Sequence, residues 1–95
     1  MLNEQEQKLL LKLLKFKRLT KKDFLIKRLC SSESQFYCIT ARLGSYGLIH
    51  GSHYWVLTFK GLIMAKLLAL LPNNDEDYTK YAEEEIIEFE YCPDH

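Results

Sequence analysis

The chain has 95 residues, 47% of them hydrophobic and 27% charged, which is the composition of one globular domain and not of a disordered segment. Its formal net charge of zero hides an asymmetry: residues 1–72 hold 12 Lys and Arg against four acids, whereas residues 73–95 hold one Lys against nine acids. The longest apolar segment, Leu62 through Leu71, is broken by Lys66 and falls far short of the ~20 residues of a membrane span, so no membrane association is expected.

Met1 is followed by Asn3, Glu4 and Glu6 with no apolar run, so no cleavable signal is expected. From Glu4 to about Lys17, leucines at positions 9, 10, 13 and 14 recur at helical spacing with lysines between them, predicting a first amphipathic helix. Thr20 and Asp23, three residues apart, form a capping pair that opens a short helix reaching Leu29. Cys30-Ser31-Ser32 makes the turn. Ser31 or Ser32 then caps a third helix running to about Leu43, with Phe36, Ile39, Thr40 and Leu43 inward.

Gly44 and Gly47 stop that helix, and Gly51-Ser52 separates the apolar runs Leu48-Ile49 and Tyr54-Trp55-Val56-Leu57 as a hairpin turn would, with Trp55 set toward the core. Thr58 caps a fourth helix, Phe59 to Leu71, which is apolar nearly all round and therefore expected to be covered on more than one side, including by a partner subunit. Pro72-Asn73-Asn74-Asp75 ends it and opens the acidic tail. There, Tyr78, Ala82, Ile86 and Phe89 form a helical stripe, while Ile87 through Tyr91 alternate like a strand; helix from Asp77 to about Ile87 is the favoured reading.

The segment Tyr46-Gly47-Leu48-Ile49, followed by Tyr54 or Trp55 through Leu57-Thr58-Phe59-Lys60-Gly61, resembles the wing of a winged helix-turn-helix domain. The resemblance covers about residues 4 to 71. It implies a mainly α fold with a small β-hairpin: a three-helix core, a wing and a fourth helix, with an acidic C-terminal helix or tail. On this reading residues 1–72 are the winged helix domain and residues 73–95 an acidic, partly helical extension. The function implied is that of a small cytoplasmic transcriptional regulator that binds double-stranded DNA as a homodimer, its third helix in the major groove and its half-sites about one helical turn apart.

Seven cations lie between Lys15 and Arg28. Of these, Lys17, Arg18, Lys21, Lys22, Lys27 and Arg28 are the candidate phosphate contacts, because in a helix-turn-helix the second helix crosses the sugar-phosphate backbone. On the third helix the recognition candidates are Ser34, Gln35, Tyr37, Cys38 and Arg42, with Gln35 suited to adenine and Arg42 to guanine or phosphate. The wing offers His50, Ser52 and His53. The dimer interface is assigned to Leu67, Leu70, Leu71, Tyr78, Ala82, Ile86 and Phe89.

Catalysis finds no motif: no nucleophile stands at a recognised spacing from a base, and no Gly-rich phosphate loop is present. The cysteines, Cys30, Cys38 and Cys92, are odd in number and lack a Cys-x-x-Cys pair, which points to free thiols in a reducing compartment. Cys30 and Cys38 are too far apart for a zinc module, so no metal and no cofactor is expected. The alternative function is a winged helix that binds a protein instead of DNA, with the acidic tail as part of that interface; the neutral third helix and the His-bearing wing favour it.

Overall fold

The computed structural model describes residues 2–72, 74 and 76–83. Helix α1 (Glu4–Phe16) opens on a reciprocal cap: Asn3 Oδ1 accepts from the Glu6 amide at 2.8 Å, and Glu6 Oε1 accepts from the Asn3 amide at 2.9 Å. Leu9, Leu10, Leu13 and Leu14 are fully buried and Leu11 nearly so, which makes α1 the central helix of the molecule, packed against both α4 (Phe59–Ala69) and the sheet. Lys17 leaves it with φ 72°, an unusual conformation for a non-glycine residue, and turns the chain sharply into strand β1 (Arg18–Thr20).

Helix α2 (Lys21–Ile26) starts on the Thr20/Asp23 cap. It ends three residues before the expected Leu29, because Arg28 adopts φ 57° and the amides of Leu29 and Cys30 turn back to the Phe24 carbonyl. Ser32 caps α3 (Glu33–Ser45), which runs through Gly44. The stop lies at Gly47, whose φ of 73° is readily reached only without a Cβ. Strands β2 (Ile49–Gly51) and β3 (Tyr54–Leu57) form the expected hairpin.

The sheet has three strands, in the order β1-β3-β2. Arg18-Leu19-Thr20, read from the sequence as a connection, pairs antiparallel with β3, Leu19 opposite Trp55 and Thr20 opposite Tyr54. Three residues are too few to display a period of two, so only the partner strand reveals this one. Leu19 and Trp55 face inward, where Trp55 meets Phe36 edge-on at a 5.0 Å centroid distance and Phe24 at 6.3 Å.

Thr58 caps α4, which ends at Ala69, with Leu70 and Leu71 in the closing turn. Gly61 sits in the first turn of α4 against the Leu48 backbone, where a Cβ would collide with the Leu48 carbonyl oxygen. Alanine gains about 1 kcal/mol of helix propensity over glycine, but the obstacle is backbone and cannot rotate away. Gly61→Ala is therefore expected to destabilise the domain by a net of about 2 kcal/mol; an unchanged urea midpoint would contradict this packing.

Beyond Pro72 the described residues up to Glu83 stay on the body. Tyr78 is fully buried, and Tyr81 and Ala82 of α5 (Thr79–Ala82) pack against the core. Lys66 Nζ donates to the Tyr81 and Ala82 carbonyls, closing the C-terminal end of α5. Of the helix expected from Asp77 to about Ile87, only Thr79–Ala82 is helical among the described residues, with Tyr78 and Glu83 as its caps; Ile86 and Phe89 lie outside the described residues. No helix among the described residues is long and apolar enough to cross a membrane.

Candidate nucleic-acid interface

The start of α2 and the outward side of α3 form one surface. Lys21, the first residue after the Thr20 cap, donates from Nζ to the Tyr37 hydroxyl at 3.2 Å and lies 3.4 Å from Glu33 Oε1. Both contacts favour its protonated form, the Tyr37 bond most, and raise its pKa. Lys22 is exposed beside it, and Ser34, Tyr37, Cys38 and Ala41 line the exposed side of α3. Cys30, by contrast, is buried, and burial pushes its thiol pKa up.

Two recognition candidates are held by the protein itself. The Gln35 Oε1 accepts from both the Ser31 amide (2.6 Å) and the Ser31 hydroxyl (2.8 Å), and its Nε2 donates to Gln5 of α1 at 3.0 Å. Its amide is therefore engaged within the chain, and reading adenine would require it to exchange these partners. Arg42 Nε lies 3.4 Å from Glu6 Oε2, the outer oxygen of a carboxylate that is 0% exposed. Apart from this ion pair, Oε2 has no hydrogen-bond partner among the described residues. A buried charge stripped of its counter-ion costs several kcal/mol, so Arg42 is tied to α1 through Nε while its side chain stays 55% exposed. The Tyr46 hydroxyl, then Glu6, further raise its pKa.

The basic run divides by position. Lys15 pairs with Glu76 at 2.7 Å, and Lys12 reaches the same carboxylate at 3.6 Å, so this end of the run faces the acidic segment of its own chain. Lys27 lies over the Phe16 ring at 4.3 Å and Arg18 over Tyr54 at 5.3 Å. Lys17 is half-buried, and Arg28 is exposed at the left-handed turn after α2. Arg18 and His50 are both register partners of Val56 from opposite sides, which sets them on one face of the sheet. His50, Ser52 and His53 are exposed at the hairpin.

Asp23 carries a consequence for pH. The Thr20 amide and hydroxyl both donate to its carboxylate, and Lys27 and Lys22 add attraction, holding its pKa below the ordinary 3.8. Because the folded pKa is depressed, the stabilisation is present above the ordinary value and is lost as pH falls through the folded one. Unfolding midpoints should drop as pH falls below about 4, and Asp23→Asn should flatten part of that drop. An identical pH profile in the variant would count against the cap.

The assigned dimer residues separate. Leu67, Leu70 and Leu71 are 61%, 62% and 52% exposed, and with Phe59 and Ile63 they form an apolar stripe along α4. Tyr78 is buried in its own chain against α1, with Lys12 Nζ 5.3 Å above its ring, so it cannot serve as an interface residue. Ala82 is half-buried against α4. Beside the stripe an open groove of about 620 Å³ lies between the N-terminal end (Leu2, Gln7), the end of α3 (Tyr46, Leu48) and α4 (Lys60, Met64, Leu68). The sequence showed neither the groove nor the Glu6–Arg42 pair, since both join residues far apart in the chain. No protein-family model, curated protein or solved structure matches this chain.

Proposed function

We propose that the protein is a winged helix-turn-helix domain that binds double-stranded DNA through phosphate contacts, as a small cytoplasmic transcriptional regulator acting as a homodimer. The order α1-β1-α2-α3-β2-β3-α4 with sheet order β1-β3-β2 supports the fold reading, as this is the arrangement expected of a helix-turn-helix followed by a wing. The observation that carries the function is the Lys21–Tyr37 contact: it joins the basic start of α2 to the exposed side of α3, so cations border the helix that would enter the major groove. With Gln35 and Arg42 engaged internally, the readout is mainly of the phosphate backbone and sequence selectivity is low.

Fluorescence anisotropy with a random-sequence duplex across a salt series tests this reading. A steep fall of affinity with salt supports it, and absence of binding even at low salt overturns it. The second reading, a protein-interaction module, is favoured by the apolar stripe of Phe59, Ile63, Leu67, Leu70 and Leu71 on α4. The same stripe serves the homodimer. Leu67→Glu combined with Leu70→Glu is expected to weaken self-association at least tenfold, on the order of 1.4 kcal/mol or more, as read by sedimentation equilibrium. A variant that sediments like the parent chain removes α4 from the interface.

A further inference from the structure

Cations and exposed aromatic rings are paired on the surface of β1, β3 and α3. Tyr37 is 54% exposed with Lys21 Nζ 5.4 Å from its ring centroid, and Tyr54 is 44% exposed with the Arg18 guanidinium at 5.3 Å. The two pairs adjoin: Thr20 is the register partner of Tyr54, and the next residue, Lys21, bonds to Tyr37. Neither ring belongs to the hydrophobic core, which uses Trp55, Phe24 and Phe36 on the opposite face of the sheet.

We infer that this surface binds single-stranded nucleic acid, with Tyr37 and Tyr54 stacking on unpaired bases while Arg18 and Lys21 meet the phosphates. Duplex bases cover one another's faces, so only an unpaired base can use an exposed ring. Lys21 is held beside its ring by the Tyr37 hydroxyl and Glu33, and a base stacked on an exposed ring adds a contact that tolerates any base. The ring takes the base while the cation already beside it meets the adjoining phosphate. Because stacking uses the flat face that all bases share, the binding tolerates many sequences. This goes beyond the duplex reading and does not require it.

The test compares a fluorescently labelled oligothymidylate, an abasic oligomer of the same length and charge, and a duplex, each titrated with the full chain. The expected result is tighter binding of the oligothymidylate than of the abasic strand. Tyr37→Ala and Tyr54→Ala each weaken the oligothymidylate by about fivefold to a hundredfold, whereas Tyr37→Phe and Tyr54→Phe retain its affinity. Both alanine variants should remain folded, with at most a modest drop in unfolding temperature because each ring is about half exposed, and should lose far less affinity for the abasic strand than for the oligothymidylate. Equal affinity for base-bearing and abasic strands overturns the inference, and duplex binding in that case leaves the function above standing. Oligothymidylate preference without duplex binding supports the inference and overturns the duplex reading.

Discussion

Replacing Tyr78 by alanine is expected to lower the unfolding free energy by about 3 to 5 kcal/mol, the cost of emptying a fully buried aromatic site. Against a total stability of about 5 to 15 kcal/mol for a domain, that is a large fraction for a residue in a segment that reads as an acidic extension. The cause is packing: Tyr78 lies against α1 beneath the Lys12 ammonium, and α5 follows it onto α4. Urea unfolding would show a lower midpoint with an unchanged slope; a loss under about 1 kcal/mol would make Tyr78 peripheral. A cut after Pro72 would strip Tyr78 from the core, so any change it caused in DNA binding or self-association would be confounded with unfolding. A cut after Glu83 keeps Tyr78 and removes five of the nine acids in residues 73–95.

Neutralising Lys21, Lys22, Lys27 and Arg28 to glutamine should reduce the salt dependence of duplex binding most. Each phosphate contact contributes about 0.9 to the slope of log affinity against log salt, so four lost contacts reduce it by about 3 to 4 and weaken low-salt affinity on the order of a hundredfold. Lys21 should contribute least, because Glu33 already neutralises part of its charge at 3.4 Å. Lys8, exposed on α1 away from this run in the sequence, is the control. A Lys8→Gln variant with the same loss of slope would mean that net charge, and not this surface, governs binding.

The local elements were legible because their signals are local. The Thr20/Asp23 cap, the Ser32 cap and the Thr58 cap each act within a few residues, as does the hairpin, whose turn falls one residue later than read, at Ser52-His53, because Gly51 pairs in β2; the inward set of Phe36, Ile39, Thr40 and Leu43 follows from helical spacing alone. The surplus of cations from Lys15 to Arg28 was equally plain from the sequence.

What only the tertiary structure decided is which of those side chains remain available. Gln35 is engaged by Gln5, thirty positions away, Arg42 by Glu6, and Lys15 by Glu76. A short strand became visible only when β3 paired with it, and Tyr78 became core only when α1 offered it a buried surface. Spacing within one segment sets which face a residue occupies. Whether that face meets solvent, a counter-charge or another helix depends on chain closure over tens of residues, which no local pattern encodes.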